Sequence, residues 1–167
     1  MEKVVVSDTN IFIDLCKLGI LGDFFALPLD IHTTDLIISE LTIPEQKQAV
    51  LNFQKREKLH VASLDASQIS EVAEMSADTN GKLSIYDCSV WLYARTGGYS
   101  IISGDDLLKR KATEDGLEVH GILYIIDLMV NYNILPKPLA SSILSELYKI
   151  NKWLPKAEVE RRINNWK

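Results

Sequence analysis

The sequence predicts an α/β protein: a three-layer α/β/α fold with a central, mostly parallel sheet of four to five strands. Short, continuous apolar runs rich in β-branched residues alternate along the chain with longer segments of helical periodicity. Such alternation is typical of βαβ units, in which each helix connects one strand to the next parallel strand. At 167 residues, the chain is expected to form one domain with a sizeable core.

Four segments are predicted to be strands because they are short, largely apolar and bounded by polar or turn-forming residues. They are VVVS at residues 4–7, LHVASL at 59–64, YSIIS at 99–103 and LEVHG at 117–121. We expect these strands to lie side by side in the sheet.

Helices are predicted between the strands from apolar residues at helical spacing and from Pro or Gly stop signals. In the first half they run from Ile11 to about Ala26, over 33–41, from Pro44 to about Lys58, and from Asp65 to about Asp78. In the second half they run from Ser84 to the glycines at 97–98, over 104–116, over 121–132, from about Leu139 to Asn151, and over 155–166.

Prolines at 136 and 138 separate the last two helices from the rest of the chain. We therefore expect an α/β domain over residues 1–133 and a helical extension over 134–167 that packs on the same domain. No internal repeat and no Pro/Gly-rich linker interrupts the sequence.

Composition limits the classes of function. Hydrophobic residues make up 47% and charged residues 25%, as in an ordinary soluble globular protein. No apolar run approaches a membrane span, and we expect no signal segment before the first strand. Cys16 and Cys88 fit neither a metal knuckle nor a disulfide framework. We expect a cytoplasmic protein without a membrane partner. The net charge of −5 argues against nonspecific coating of nucleic acid but allows phosphate contact through a metal ion.

Carboxylates stand at the strand-to-helix junctions. Asp8 follows the first predicted strand, and Asp105 and Asp106 follow the third. Asp87 lies in the first turn of the apolar helix before that third strand, and Glu40 lies within LIISEL. Since parallel strands all end at one edge of a sheet, Asp8 and Asp105 are expected at the same edge, where α/β proteins bind ligands.

Each carboxylate also has an ordinary structural explanation. Asp8 or Asn10 could cap the first helix, and Asp105 could cap the helix after the third strand. Ser84 followed three residues later by Asp87 resembles a capping box. Glu40 could be an ordinary exposed glutamate. Taken singly, these structural interpretations are the more common ones.

Taken together, the carboxylates favour a metal site. Three or four of them within a few ångströms would repel one another and raise each other's pKa values. A hard divalent cation with oxygen ligands, Mg²⁺ or Mn²⁺, relieves that repulsion. Helix N-termini beside these groups would also favour negative charge.

The sequence resembles the PIN-domain family of metal-dependent ribonucleases over roughly residues 3 to 130. No single motif is specific, but several occur in the family's order and at plausible spacing. They are SDTNIFIDL at 7–15, IISEL at 37–41, LSIYD at 83–87, IISGDD at 101–106 and GLEVHGIL at 116–123.

The resemblance implies four catalytic acids, of which three would bind the metal. The catalytic positions fall on Asp8, Glu40, Asp87 and Asp105, and the metal positions on Asp8, Asp87 and Asp105.

Three further residues have supporting roles in this interpretation. Asn10 would orient the first carboxylate or a water molecule on the metal. Ser103 stands where the family often has Thr, and it keeps the hydroxyl. Asp106 is an auxiliary or substitute for Asp105, and the sequence leaves open which of the two points inward.

The resemblance also implies an activity: an endoribonuclease that uses one or two Mg²⁺ or Mn²⁺ ions to activate water against an RNA phosphodiester, leaving a 5′-phosphate. Lys109 and Arg110 are weak candidates for substrate contact, because helix faces of this kind are usually only solvated. Many compact family members are toxins of toxin–antitoxin pairs, so an antitoxin protein and a second copy of the chain are candidate partners. The alternative is a catalytically silent PIN-like module that binds RNA or protein.

Other classes of enzyme lack their motifs. The sequence contains no GxxxxGK[ST], GxGxxG, HExxH or GxSxG. A phosphoaspartate enzyme of the haloacid-dehalogenase type would need Asp where Asn10 stands. Trp153 and Trp166 are expected to pack in the core or in an interface rather than to stack on bases.

Overall fold

The computed structural model describes residues 3–167. Five parallel strands form one sheet in the order β3-β2-β1-β4-β5. The strands are β1 (Lys3–Ser7), β2 (Leu29–Thr34), β3 (Leu59–Ala62), β4 (Ser100–Ile102) and β5 (Val119–His120). The predicted three-layer α/β/α fold is confirmed.

Ten helices in the described residues surround this sheet. They are α1 (Thr9–Lys17), α2 (Leu21–Phe25), α3 (Asp35–Glu40), α4 (Pro44–Lys55), α5 (Ala66–Asp78), α6 (Ile85–Gly97), α7 (Asp106–Glu114), α8 (Ile122–Asn131), α9 (Lys137–Ile150) and α10 (Lys156–Trp166). The helices predicted after residue 43 are present, with ends shifted by three residues or fewer.

The central strand β1 positions the candidate site. Val5 and Val6 are buried, as expected for a strand with helices on both faces. β1 pairs with β2 on one side and β4 on the other, with Ser7 opposite Ile102. The carboxyl ends of β1 and β4 are therefore adjacent, and the residues that follow them start from the same point of the sheet edge.

Strand β2 was not predicted, and the helix predicted over 33–41 is shorter at both ends, because α3 runs from Asp35 to Glu40. Leu29–Thr34 contains Asp30, His32 and two threonines, so it lacks the continuous apolar run that identified the other strands. Pairing on both sides, with β1 and β3, makes it a strand despite this composition. Thr34 ends the strand and caps α3, because its hydroxyl accepts a hydrogen bond from the backbone N–H of Ile37 at 3.2 Å.

The single helix predicted from Ile11 to Ala26 is wrong, because the chain turns at Gly19. Gly19 adopts φ = 71°, the left-handed conformation that glycine tolerates best. Its N–H donates to the carbonyl of Cys16, and the N–H of Ile20 donates to the carbonyl of Leu15, which is a Schellman C-cap. α1 therefore ends at Lys17, and the short α2 follows.

The last two helices pack on each other and on the rest of the protein, and both contribute buried residues. Val159 and Trp166 are buried, as predicted for Trp166. Arg162 donates through Nε and Nη2 to the two carboxylate oxygens of Asp127 on α8, both at 2.8 Å. Trp153, in contrast, is 97% exposed, so it does not pack in the core; the other predicted possibility, packing in an interface, stays a prediction.

Among residues 3–167, none of the helices combines the length and apolarity that crossing a membrane requires.

Candidate active site

Asp8 begins the site at the carboxyl end of β1. Its backbone N–H donates to the carbonyl of Ile102 on β4 at 3.2 Å, so the residue is fixed directly beside that strand. Its Oδ1 accepts from the N–H of Ile11 at 3.1 Å, which makes Asp8 the N-cap of α1. The residue is only 4% exposed. Asp8 therefore both caps α1 and places a carboxylate at the edge of the sheet.

Ser103 connects Asp8 to the loop after β4. Its hydroxyl donates to Oδ2 of Asp8 and accepts from the backbone N–H of Asp105, the latter at 3.1 Å. Ser103 is buried, with 4% exposure. One hydroxyl thus holds the ends of two adjacent strands in a fixed relation.

Of the two neighbouring aspartates after β4, Asp105 joins this network. It caps α7, with Oδ1 accepting from the N–H of Leu108 at 2.8 Å, and it is half-buried. Asp106 is the first residue of α7 and is exposed to solvent. The geometry favours Asp105 as the inward carboxylate.

Asp87 forms the capping box that its spacing from Ser84 predicted. Its Oδ2 accepts from the N–H of Ser84 at 3.3 Å and from the Ser84 hydroxyl at 3.0 Å. The Ser84 hydroxyl in turn accepts from the N–H of Asp87 at 3.1 Å. The carboxylate is half-buried in the first turn of α6, where the helix dipole favours its negative charge.

The charges of these three aspartates act on one another. The pKa of Asp8 is raised to about 7. Burial is the main cause and the charges of Asp87 and Asp105 add to it, while the hydrogen bonds from Ser103 and Ile11 act in the opposite direction. Burial also raises the pKa of Asp87, and the charge of Asp105 adds to that effect. Asp8, Asp87 and Asp105 thus form one electrostatically coupled acidic cluster at the sheet edge.

Glu40 is attached to this cluster indirectly. It ends α3, is partly buried and accepts a hydrogen bond at Oε1 from the hydroxyl of Thr9, the residue after Asp8. It is not among the charges that raise the pKa of Asp8. Thr9 is 5% exposed and was not predicted to have a role. The sequence gives no sign of this contact, because it joins residues 31 positions apart.

Buried hydroxyl groups line the adjoining end of β2. The Thr33 hydroxyl donates to the carbonyl of Ser7 at 2.9 Å, and the hydroxyls of Thr34 and Ser89 share a hydrogen bond at 2.8 Å. The next residue, Asp35, has a buried Oδ1 without a hydrogen-bond partner in the described part of the chain. The sequence did not predict that these groups lie near the site, because β2 itself was not predicted.

The remaining predicted residues lie at the surface. Asn10 is exposed in the first turn of α1, and within residues 3–167 its side chain makes no hydrogen bond to Asp8; Ile11 and Ser103 make those contacts. Lys109 and Arg110 are exposed on α7, about one turn beyond Asp105.

The acidic cluster fits a hard divalent cation by the chemistry of its donors. Within residues 3–167, no three Asp, Glu, His or Cys side chains converge into a ready-made metal site. Mg²⁺, however, usually keeps several waters and binds only one or two carboxylates. Oδ1 of Asp87 and Oδ2 of Asp105 have no hydrogen-bond partner in the described chain, so both remain available as ligands.

The fold has counterparts among solved structures. PAE2754 from Pyrobaculum aerophilum superposes with a TM-score of 0.53 at 16% identity, covering 78% of this chain and 99% of that protein. The PilT N-terminus domain protein SSO1118 from Sulfolobus solfataricus P2 gives a TM-score of 0.47 at 15% identity, covering 77% and 92% of the two chains. FitAcB from Neisseria gonorrhoeae gives a TM-score of 0.45 at 10% identity, covering 70% of this chain and 96% of that chain.

No curated protein sequence matches the chain significantly. A family model described as "DUF3368: PIN domain" matches residues 4–167, which include the C-terminal helices as well as the acidic cluster. The chain belongs to the PIN-domain family.

Proposed function

We propose that this protein is a Mg²⁺- or Mn²⁺-dependent endoribonuclease whose active site is the acidic cluster of Asp8, Asp87 and Asp105. The observation that carries the proposal is the electrostatic coupling of these three carboxylates at the carboxyl edge of the sheet. Burying like charges together is unfavourable unless a cation or a proton compensates them. Family membership supports the same activity, because PIN domains are generally nucleases.

Asp87 and Asp105 would hold the cation with their free oxygens, and Asp8 would add the third negative charge. When bound there, a divalent cation supplies Lewis acidity toward a phosphodiester and increases the acidity of water. Each carboxylate already accepts a hydrogen bond from a backbone N–H at a helix start: Asp8 from Ile11, Asp87 from Ser84 and Asp105 from Leu108. Little rotamer entropy therefore remains to be lost when the site fills.

Ser103 and Thr9 are the proposed positioning residues. Ser103 keeps Asp8 beside Asp105, and Thr9 keeps Glu40 at the start of α1. Glu40 would act on water or substrate beside the three aspartates, rather than as a metal ligand itself. Asn10 is exposed at the same helix start, where it can contact water or the RNA backbone.

Lys109 and Arg110 would contact substrate phosphates. Both are exposed on α7, whose first turn presents Asp105, so an RNA strand at the acidic cluster would pass close to them. Their contribution to RNA binding would not depend on the RNA sequence, as expected for phosphate contacts.

The test is cleavage of labelled RNA by the purified protein with Mg²⁺ or Mn²⁺, with EDTA, and with Asp8→Asn and Asp105→Asn variants. We expect metal-dependent cleavage that falls at least about 100-fold in each variant, because even loss of an outer partner of a metal ligand costs about 10–100-fold. Asp106→Asn is the matched control and should retain activity. Cleavage that survives EDTA and both substitutions would refute the assignment.

The alternative is a catalytically silent PIN-like module that binds RNA or protein. The same experiment distinguishes it: such a module would bind RNA without cleaving it in any divalent metal. The three intact carboxylates favour the enzyme.

We further propose that the protein acts as the toxin of a toxin–antitoxin pair, with an antitoxin protein as its regulatory partner. This role rests on its compact PIN-domain architecture alone. A small reading frame beside its gene whose product binds the protein and inhibits cleavage would support it, and lack of inhibition by that product would contradict it.

A further inference from the structure

Positive charge is concentrated at the C-terminal end of the chain. Residues 134–167 carry seven of the 18 lysines and arginines but only three of the 23 acidic residues. This segment therefore has a net charge of +4, while residues 1–133 have a net charge of −9. A polyanion is repelled by most of the protein and attracted to this segment.

The most exposed large apolar side chain of the described protein lies within the same segment. Trp153 is 97% exposed in the turn at 151–155, which joins α9 to α10. Trp166, only 13 residues later, is 8% exposed and packs in the core. A tryptophan ring left almost entirely in water is unusual, since tryptophan normally buries a large area.

Lysines flank this tryptophan along the chain. Lys152 precedes it and makes no ion pair within residues 3–167. Lys149 and Lys156 make only long, exposed pairs, at 3.4 Å with Glu146 and 3.9 Å with Glu160. Exposed ion pairs of this kind contribute little to stability, so each lysine can leave its glutamate and contact a phosphate instead.

We propose that the C-terminal hairpin, defined as α9, α10 and the turn at 151–155, is a second RNA-binding site. Trp153 stacks on a base of a single-stranded segment, and Lys149, Lys152 and Lys156 contact the flanking phosphates. Stacking platforms combined with lysines are the general chemistry of single-strand binding. The proposal rests on the proposed RNA substrate, but it assigns a site separate from the acidic cluster.

The hairpin lies away from that cluster. Ile150, the last residue of α9, lines a groove of about 250 Å³ with Lys17 and Leu18. Those two residues stand at the end of α1, whose other end begins beside Asp8. Nine helical residues span about 13 Å, so one RNA would extend over a distance of that order to occupy both sites. The hairpin would therefore act on long RNAs and not on short ones.

The test compares Trp153→Ala with Trp153→Phe, which keeps a stacking ring. Binding of a single-stranded RNA of about 30 nucleotides is measured in the Asp8→Asn background, so that the RNA is not consumed. We expect Trp153→Ala to weaken binding about tenfold and Trp153→Phe to restore most of the affinity. Lys152→Ala should reduce the slope of log affinity against log salt by about 0.7.

Controls separate this site from the active site. Leu139→Ala removes another exposed apolar side chain of the hairpin, and Lys55→Ala removes an exposed charge elsewhere; both should leave RNA binding unchanged. With intact Asp8, cleavage of an RNA of only two nucleotides, too short to span about 13 Å, should be unaffected by Trp153→Ala. RNA binding that depends on Trp153 without any cleavage would support the hairpin site and refute the proposed activity.

Three results would overturn the hairpin site. The first is equal binding of the long RNA by the parent protein and Trp153→Ala. The second is a change in sedimentation caused by Trp153→Ala, which would assign the ring to contact between two copies of the chain. The third is a loss of binding to anionic phospholipid vesicles with RNA binding unchanged, which would assign it to a membrane surface.

Discussion

The hydroxyl of Ser103 donates a hydrogen bond to Asp8, the residue that follows the neighbouring strand β1. The same hydroxyl accepts from the N–H of Asp105, so one small side chain fixes two of the three coupled carboxylates. Because the hydrogen bond from Ser103 lowers the pKa of Asp8, its loss should leave Asp8 harder to ionise.

Ser103→Ala should therefore lower RNA cleavage about 10–100-fold near pH 7 and shift the acidic limb of the pH–rate profile upward. Ser103→Thr keeps the hydroxyl and is the matched control. The measurement is kcat/KM between pH 5.5 and about 9. Identical profiles for the parent protein and Ser103→Ala would show that the hydroxyl does not tune Asp8.

Stability without metal should fall as pH rises, because the pKa of Asp8 is raised from 3.8 in the unfolded chain to about 7 in the fold. The folded state then binds a proton that the unfolded state releases. The stabilising contribution is complete below about pH 4 and is lost as pH rises through about 7. Asp87, whose pKa is also raised, acts in the same direction.

Urea unfolding in EDTA at pH 5 and pH 8 measures this effect. The difference in the free energy of unfolding between the two pH values should shrink in Asp8→Asn by about 3 kcal/mol, because pH 5 lies about two units below the pKa of Asp8. Asparagine keeps the oxygen that caps α1, so the comparison isolates the charge. An equal pH dependence in both proteins would mean that Asp8 ionises normally.

Thr9 should affect RNA cleavage through its hydrogen bond to Glu40. Thr9→Val removes the hydroxyl that donates to Glu40 and keeps nearly the same volume, whereas Thr9→Ser keeps the donor. If Glu40 acts in cleavage, Thr9→Val should lower kcat about tenfold with little change in KM, and Thr9→Ser should recover most of it. In a Glu40→Gln background, Thr9→Val should have little additional effect. If Thr9→Val still lowers kcat about tenfold in the Glu40→Gln background, Thr9 does not act through Glu40.

Arg162 should anchor the C-terminal hairpin to α8. Its guanidinium is 16% exposed and makes two hydrogen bonds to Asp127, so Arg162→Ala should cost about 2 kcal/mol in the free energy of unfolding. Arg161 is the matched control: its ion pair with Glu158 is exposed, and Arg161→Ala should cost less than about 0.5 kcal/mol. Equal costs in urea unfolding would contradict the anchoring role.

The sequence predicted those features that depend on local pattern. The strands ending at Asp8 and before Asp105 are apolar and β-branched, and their parallel order follows from the intervening helices. The caps at Asp8, Ser84 and Asp105 have unambiguous residue types, and all three are present.

Features that depend on distant partners were missed. β2 is a strand because β1 and β3 pair with it, not because of its composition. The contact of Thr9 with Glu40 and the hydrogen bond between Thr34 and Ser89 join residues far apart in the chain. The exposure of Trp153 likewise depends on how the last two helices pack.

The central claim is that Asp8, Asp87 and Asp105 form a metal site, and Mn²⁺ binding tests it without requiring an RNA substrate. Titration calorimetry at about pH 7.5 should detect saturable Mn²⁺ binding that is weakened at least about tenfold in Asp8→Asn, Asp87→Asn and Asp105→Asn. The exposed neighbour variant Asp106→Asn should bind as the parent protein does. Equal Mn²⁺ affinity in all five proteins would contradict the account.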